Sequence, residues 1–178
     1  MTIPAAPNTP GSGNQRRILV IGIGNVLMRD DGLGVHVIER LKVLYHMPPN
    51  VRFVDGGTLG LSLLPLLDGI THLLLIDAVR GMGAPGDIVR LRDDEIPAYL
   101  ATKVSVHEVG LQELLATAGF AGCLPDEIVL WGVEARDVEL GDGLSSVVRD
   151  ALDELVERVA GELKMWKAPL HNASPTAP

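Results

Sequence analysis

Apolar positions recur along this chain in two different rhythms, and each switch between them marks an element. Ile18 to Ile21 is an unbroken apolar run ended by Gly22-Ile23-Gly24-Asn25, the pattern of a strand covered on both faces and then forced into a tight turn. Beyond the turn, Leu33, Val37, Ile38 and Leu41 recur at helical spacing, with Asp30 and Asp31 where that helix is predicted to begin. A carboxylate there feels the positive end of the helix dipole and can cap the helix, bind a cation, or do both. After the break at Pro48-Pro49-Asn50, Val51 to Val54 reads as a second short strand, stopped by Asp55-Gly56-Gly57-Thr58. Leu59 to Leu67 is leucine-rich and predicted helical, although Pro65 sits badly inside a long helix. His72 to Ile76 is the clearest central strand, and it delivers Asp77 at its carboxyl end.

The second half continues the alternation. Asp87 to Leu91 alternates like a half-covered strand, and Ile96 to Leu100 is a short helical piece. A loop from Ala101 to Val106 leads to His107, after which Val109, Leu111, Leu114 and Leu115 predict a helix up to Gly119. Glu127 to Val133 is another buried strand. Ser145 to Leu163 is an amphipathic helix with Val147, Val148, Leu152, Leu155, Val156 and Val159 inward. The expected class is α/β: a single domain over residues 16–164, with a twisted, mostly parallel sheet sandwiched between helices. Residues 1–15 read as a disordered tail and residues 165–178 as a flexible one. Ligands in such a fold gather at the carboxyl ends of the strands, where Asp31, Asp55, Asp77 and His107 are all predicted to lie.

Composition narrows the function. With 178 residues and 47% apolar content, the chain can bury one sizeable core. The net charge of −8 and the absence of any basic cluster longer than Arg16-Arg17 argue against a nucleic-acid surface and favour a cation or a basic peptide. Cys123 is the only cysteine, which excludes an internal disulfide and a cysteine-based zinc cluster and fits a reducing cytosol. No apolar run reaches membrane-spanning length, because Asp68, Thr71 and His72 interrupt the Leu59 to Val79 region, and the N-terminus lacks a signal peptide's apolar centre.

Several chemistries lack their signatures. Gly22-Ile23-Gly24 opens a dinucleotide fingerprint, but Leu27 occupies the third glycine's place; there is no phosphate loop and no G-x-S-x-G elbow. Cys123, before Leu124-Pro125, reads as an incidental thiol. Asp31, Asp77 and His107 are oxygen and nitrogen donors from three separate positions, a set that suits nickel or zinc better than calcium and leaves room for water or substrate. Taken singly, each has a plainer reading: a helix cap, a strand end, a bond to a loop carbonyl. Asp55 before Gly56-Gly57 is likewise a natural turn former.

The ordered set GIGNVLMRDDGLGVHVIERL, VDGGTLG, LLLIDAVRG and SVHEVGLQELL resembles the signatures of the hydrogenase maturation endopeptidases, from about Arg17 to Leu163. Those enzymes remove a C-terminal extension from the large-subunit precursor of nickel-iron hydrogenases once the metal centre is inserted. The resemblance places the family's metal-binding acids on Asp31 and Asp77 and its histidine on His107. Many members carry glutamate where this chain has Asp31, so the reach is shorter by one methylene. It also matches the Asp55 turn, near the site in the family, and implies a cytoplasmic, monomeric, aspartyl endopeptidase-like hydrolase that activates another enzyme. Nickel is expected in the substrate, with zinc or cadmium able to occupy the same ligands. Without an elbow, the expected chemistry is attack by water. Either the metal polarises the carbonyl or activates the water, or nickel only positions the peptide while Asp55 or another carboxylate acts as base. The rival reading is a metal-binding chaperone that docks on a metalloprotein without cutting it; a small-molecule enzyme at the same sheet edge is weaker.

Overall fold

The structure, a computed structural model, describes residues 16–101 and 106–173, without the side chains of residues 106–108. The stretch 1–15, read as a tail, and the final residues 174–178 lie outside the described residues. Five strands form one sheet in the order β3-β1-β4-β6-β5, comprising β1 (Ile18–Ile23), β3 (Val51–Gly57), β4 (His72–Val79), β5 (Ile88–Arg92) and β6 (Glu127–Glu134). All neighbours run parallel except β5, which pairs antiparallel with β6 at one edge. Every residue of β1 and β4 is buried, as their unbroken apolar runs require of central strands.

The sheet's two faces carry separate cores. On one, α1 (Leu33–Leu44) and α4 (Ser146–Met165) cover Ile18, Val20, Leu74, Ile76 and Val129. On the other, a 3-10 helix (Gly60–Leu67), α2 (Glu95–Leu100) and α3 (Val106–Ala121) cover Leu19, Ile21, Leu73, Leu75 and Leu130. This is the single-domain α/β sandwich that the alternation predicts.

Three details depart from the sequence reading. The segment predicted as a helix over Leu59 to Leu67 coils instead as a 3-10 helix, Gly60–Leu67, containing Pro65, a residue that disfavours a regular α-helix. His107 stands in the first turn of α3 rather than in a preceding loop, because the helix already begins at Val106. The stretch after Leu163 is not a free tail up to residue 173. Trp166 and Ala168 are buried, and β7 (His171–Asn172) pairs antiparallel with β2 (Tyr45–His46). Trp166 supplies the physical reason: its ring packs edge-on to His72 and its indole N–H donates to Glu127 at 3.0 Å. Burial is also the main reason the His72 imidazole titrates below its ordinary value, with Arg16 adding to the effect. That cluster lies at the amino end of β4, away from the loops considered next.

What brings α1 onto the sheet is the lack of side chains. A Cβ on Gly34 would stand 2.3 Å from the carbonyl oxygens of both Ile23 and Ile76, so the first turn of α1 rests directly on the carboxyl ends of β1 and β4. Every nearby atom is backbone and cannot swing away. We therefore expect Gly34→Ala to lower stability by about 3 kcal/mol, at the upper end of overpacking costs. Urea unfolding measures it, and a change under 1 kcal/mol, about the noise of surface substitutions, would contradict this packing.

Candidate active site

The turn after β1 explains the spacing of the first motif. Gly24 has φ +119, and a Cβ there would lie 1.7 Å from the carbonyl oxygen of Asp31, so chain reversal and close approach both demand glycine. The amide of the next residue, Asn25, donates to Asp31 Oδ2 at 2.8 Å, and Asn25 Oδ1 accepts the Leu27 amide at 3.0 Å. Asp31 is thus fixed by the glycine turn six residues before it. It does not cap α1, as its position suggested: the cap residue is Gly32, with no side-chain cap bond, and Asp30 and Asp31 lie in a separate 3-10 turn, Arg29–Gly32.

The two adjacent aspartates, alike in sequence, have different surroundings. Asp31 is half-buried, whereas Asp30 is fully buried. Asp30 Oδ2 accepts the amides of Arg136 and Asp137 at 3.0 and 2.9 Å and the Ser145 hydroxyl at 2.8 Å; Oδ1 accepts the Ser145 amide at 2.6 Å. Asp30 therefore ties the turn that carries Asp31 to the segment between β6 and α4. Arg29 strengthens the tie through Asp137 at 3.3 Å, and Met28 bridges Gly141. The tie between Asp30 and Ser145 escaped the sequence reading because it spans more than a hundred residues and leaves no local pattern.

Asp77 is 1% exposed and lies one residue beyond Ile76, the partner of Gly22 in β1. By strand alternation it shares the face of Leu75 and Val79, the face covered by α3. Its Oδ1 accepts the Ala78 amide at 2.8 Å. The loop beyond β4 is held by Glu134 at the end of β6, which accepts the amides of Gly81 and Met82 at 2.6 and 2.8 Å. The Tyr99 hydroxyl accepts the Arg80 amide at 3.2 Å. Glu134 was a further residue that the sequence did not single out.

The amino end of α3 reaches the same edge. Gly110 packs against Gly60, its Cα 3.0 Å from where a Gly60 Cβ would be, and Leu111 lines a tight hollow with Ile23, Gly57 and Leu63. Position 107 is one helical turn, about 6 Å along α3, before Leu111; its side chain lies outside the described residues. Among the described residues no three His, Cys, Asp or Glu side chains form a group able to hold a metal ion. Asp55 is exposed on β3, opposite Gly22, and its Oδ1 accepts the Gly57 amide at 3.0 Å. Like Gly22 it faces α1, across the sheet from the face of Asp77, and β1 lies between their two strands.

Asp31 and Asp77 thus stand near the carboxyl ends of the neighbouring strands β1 and β4, with α3 on the face of Asp77. The family model HycI, hydrogenase maturation protease, matches residues 35–162. The hydrogenase 2 maturation protease of Escherichia coli K12 is 38% identical over 149 residues, which cover 83% of this chain and 91% of that protein. The hydrogenase expression/formation protein HupD of Rhodobacter capsulatus is 41% identical over 152 residues, covering 84% and 72%. The solved hydrogenase maturating endopeptidase HybD from E. coli superimposes with a TM-score of 0.86 at 35% identity, over 90% of this chain and 99% of that one. No described helix is long and apolar enough to cross a membrane. The chain belongs to the hydrogenase maturation protease family and is a peptidase of hydrogenase large-subunit maturation.

Proposed function

We propose that this peptidase recognises nickel already carried by its precursor substrate, through Asp31, Asp77 and His107, and removes the precursor's C-terminal extension only then. What supports the reading is that Asp31 follows the turn after β1 and Asp77 stands near the carboxyl end of the neighbouring β4, each oriented by a backbone amide, with α3 covering the face of Asp77. Two carboxylates and an imidazole form a mixed oxygen and nitrogen donor set that suits nickel, and that zinc or cadmium would also fill. The ion belongs to the substrate, where it orients the C-terminal segment; the chain's own residues supply oriented acceptors and bring a peptide bond to the edge. The protein acts as a monomer in the cytoplasm, a setting that its lone cysteine and acidic composition fit.

Asp55 is an exposed carboxylate at the carboxyl end of β3, on the α1 face, and we assign it the water-activating role. Asp55→Asn keeps an oxygen for the Gly57 amide and removes only the charge. We expect kcat to fall about 100-fold with KM little changed, in line with loss of a general base. An unchanged kcat would leave Asp55 as a turn former alone.

The mass of a nickel-loaded precursor before and after incubation tests the function itself. Loss of a C-terminal peptide is the expected result; complex formation with unchanged mass would make the protein a chaperone.

A further inference from the structure

On the α3 face, well away from the carboxyl edge, α2, α3 and the start of β6 enclose a groove of about 440 Å³. Its walls are apolar, with Pro97, Leu115, Ala116, Leu124 and Ile128, and its rim carries Asp93, Asp94 and Asp126. Arg92 pairs with Asp93 at 3.1 Å and Glu127 at 3.3 Å, whereas neither Asp94 nor Asp126 forms an ion pair among the described residues. One turn beyond Ala116 stands Phe120, 99% exposed in a chain that has only two phenylalanines. Leu124 on the groove wall is 45% exposed. An apolar groove one helical turn from a bare aromatic, with two rim carboxylates that form no ion pair among the described residues, has the make-up of an interaction surface.

We infer that this groove docks an apolar segment flanked by lysine or arginine on the surface of the precursor, outside the peptide that is cut. Charge selects the occupant. A second copy paired about a two-fold axis would set one acidic rim against another, on a chain of net charge −8, whereas a basic segment gains at Asp94 and Asp126. The helix links the two places: Ala116 lies nine residues beyond His107, about 14 Å along α3, so a docked segment and the cleavage edge are read by opposite ends of one rigid element.

The inference rests on the proposed function, and the test keeps the two apart. Processing of nickel-loaded precursor is compared at low and high salt for the native protein, Asp94→Lys/Asp126→Lys and the milder Asp94→Asn/Asp126→Asn. At low salt we expect KM to rise about tenfold in the lysine pair and about threefold in the asparagine pair, with kcat unchanged and the differences shrinking at high salt. An unchanged KM in the lysine pair overturns the docking role, as does a fall in kcat alone. Sedimentation of the native protein as a dimer that the lysine pair disrupts would assign the groove to a second copy. Should the native protein cut nothing, the proposed function fails by itself. Fluorescence titration with labelled, uncut precursor then still decides the groove, and equal Kd for native and lysine-pair proteins refutes it.

Discussion

Asp77→Asn is expected to reduce precursor processing by about 100-fold or more while the fold remains intact, because the amide keeps the size and the Ala78 contact but removes the charge. Two features make the site sensitive. Asp77 is 1% exposed, so water cannot replace the lost charge, and it lies at the carboxyl end of a central strand, so a neighbouring side chain cannot shift to substitute. His107→Ala should give the same loss from the α3 side. The measurement is the initial rate of precursor shortening by mass spectrometry, with circular dichroism on the same samples. A native-like rate for Asp77→Asn would remove this residue from the site; loss of native dichroism would make it structural.

The largest effect on stability is expected at Asp30, a residue to which we assign no contact with substrate. Asp30→Ala leaves three backbone amides and the Ser145 hydroxyl without their acceptor in a buried place. Each orphaned donor costs about 1–3 kcal/mol when nothing relaxes, and partial relaxation brings the total to about 4 kcal/mol. For a domain of this size that is a fall in Tm of about 10 °C. Asp30→Asn should recover only part of it, since its amide nitrogen would face a donor. Activity below the new Tm should also drop, because the same bonds fix the turn that presents Asp31. A Tm within about 2 °C of the native value, equivalent to under 1 kcal/mol, would show that the segment from Arg136 to Ser145 is held by other contacts.

The contrast between the two aspartates shows how much the sequence disclosed. Strand and helix identities followed from periodicity, since burial on both faces of β1 and β4 leaves only apolar residues there and exposes Asp77 as an exception. The glycines of the first motif pointed to a tight turn, but the partners of their missing side chains, the carbonyls of Ile23, Ile76 and Asp31, emerge only from the packed fold. Which of Asp30 and Asp31 turns inward was not legible, because the deciding donors come from residues 136–145. Glu134 was hidden for the same reason: its role is to hold a loop more than fifty residues earlier. The packing after Leu163 was misread because Trp166 was counted with its polar and proline-rich neighbours rather than as the anchor it is. His107 was read at the end of a loop, and its place in a helical turn came from the structure.

In the proposed function, Asp31, Asp77 and His107 read the nickel held by the precursor. The direct test is a processing assay with metal-free and nickel-loaded precursor, in which nickel is supplied either to the precursor or to this protein before mixing. Only precursor loaded beforehand should be cut, and preloading this protein should not rescue metal-free precursor. Equal cleavage of metal-free and nickel-loaded precursor would contradict the proposed function.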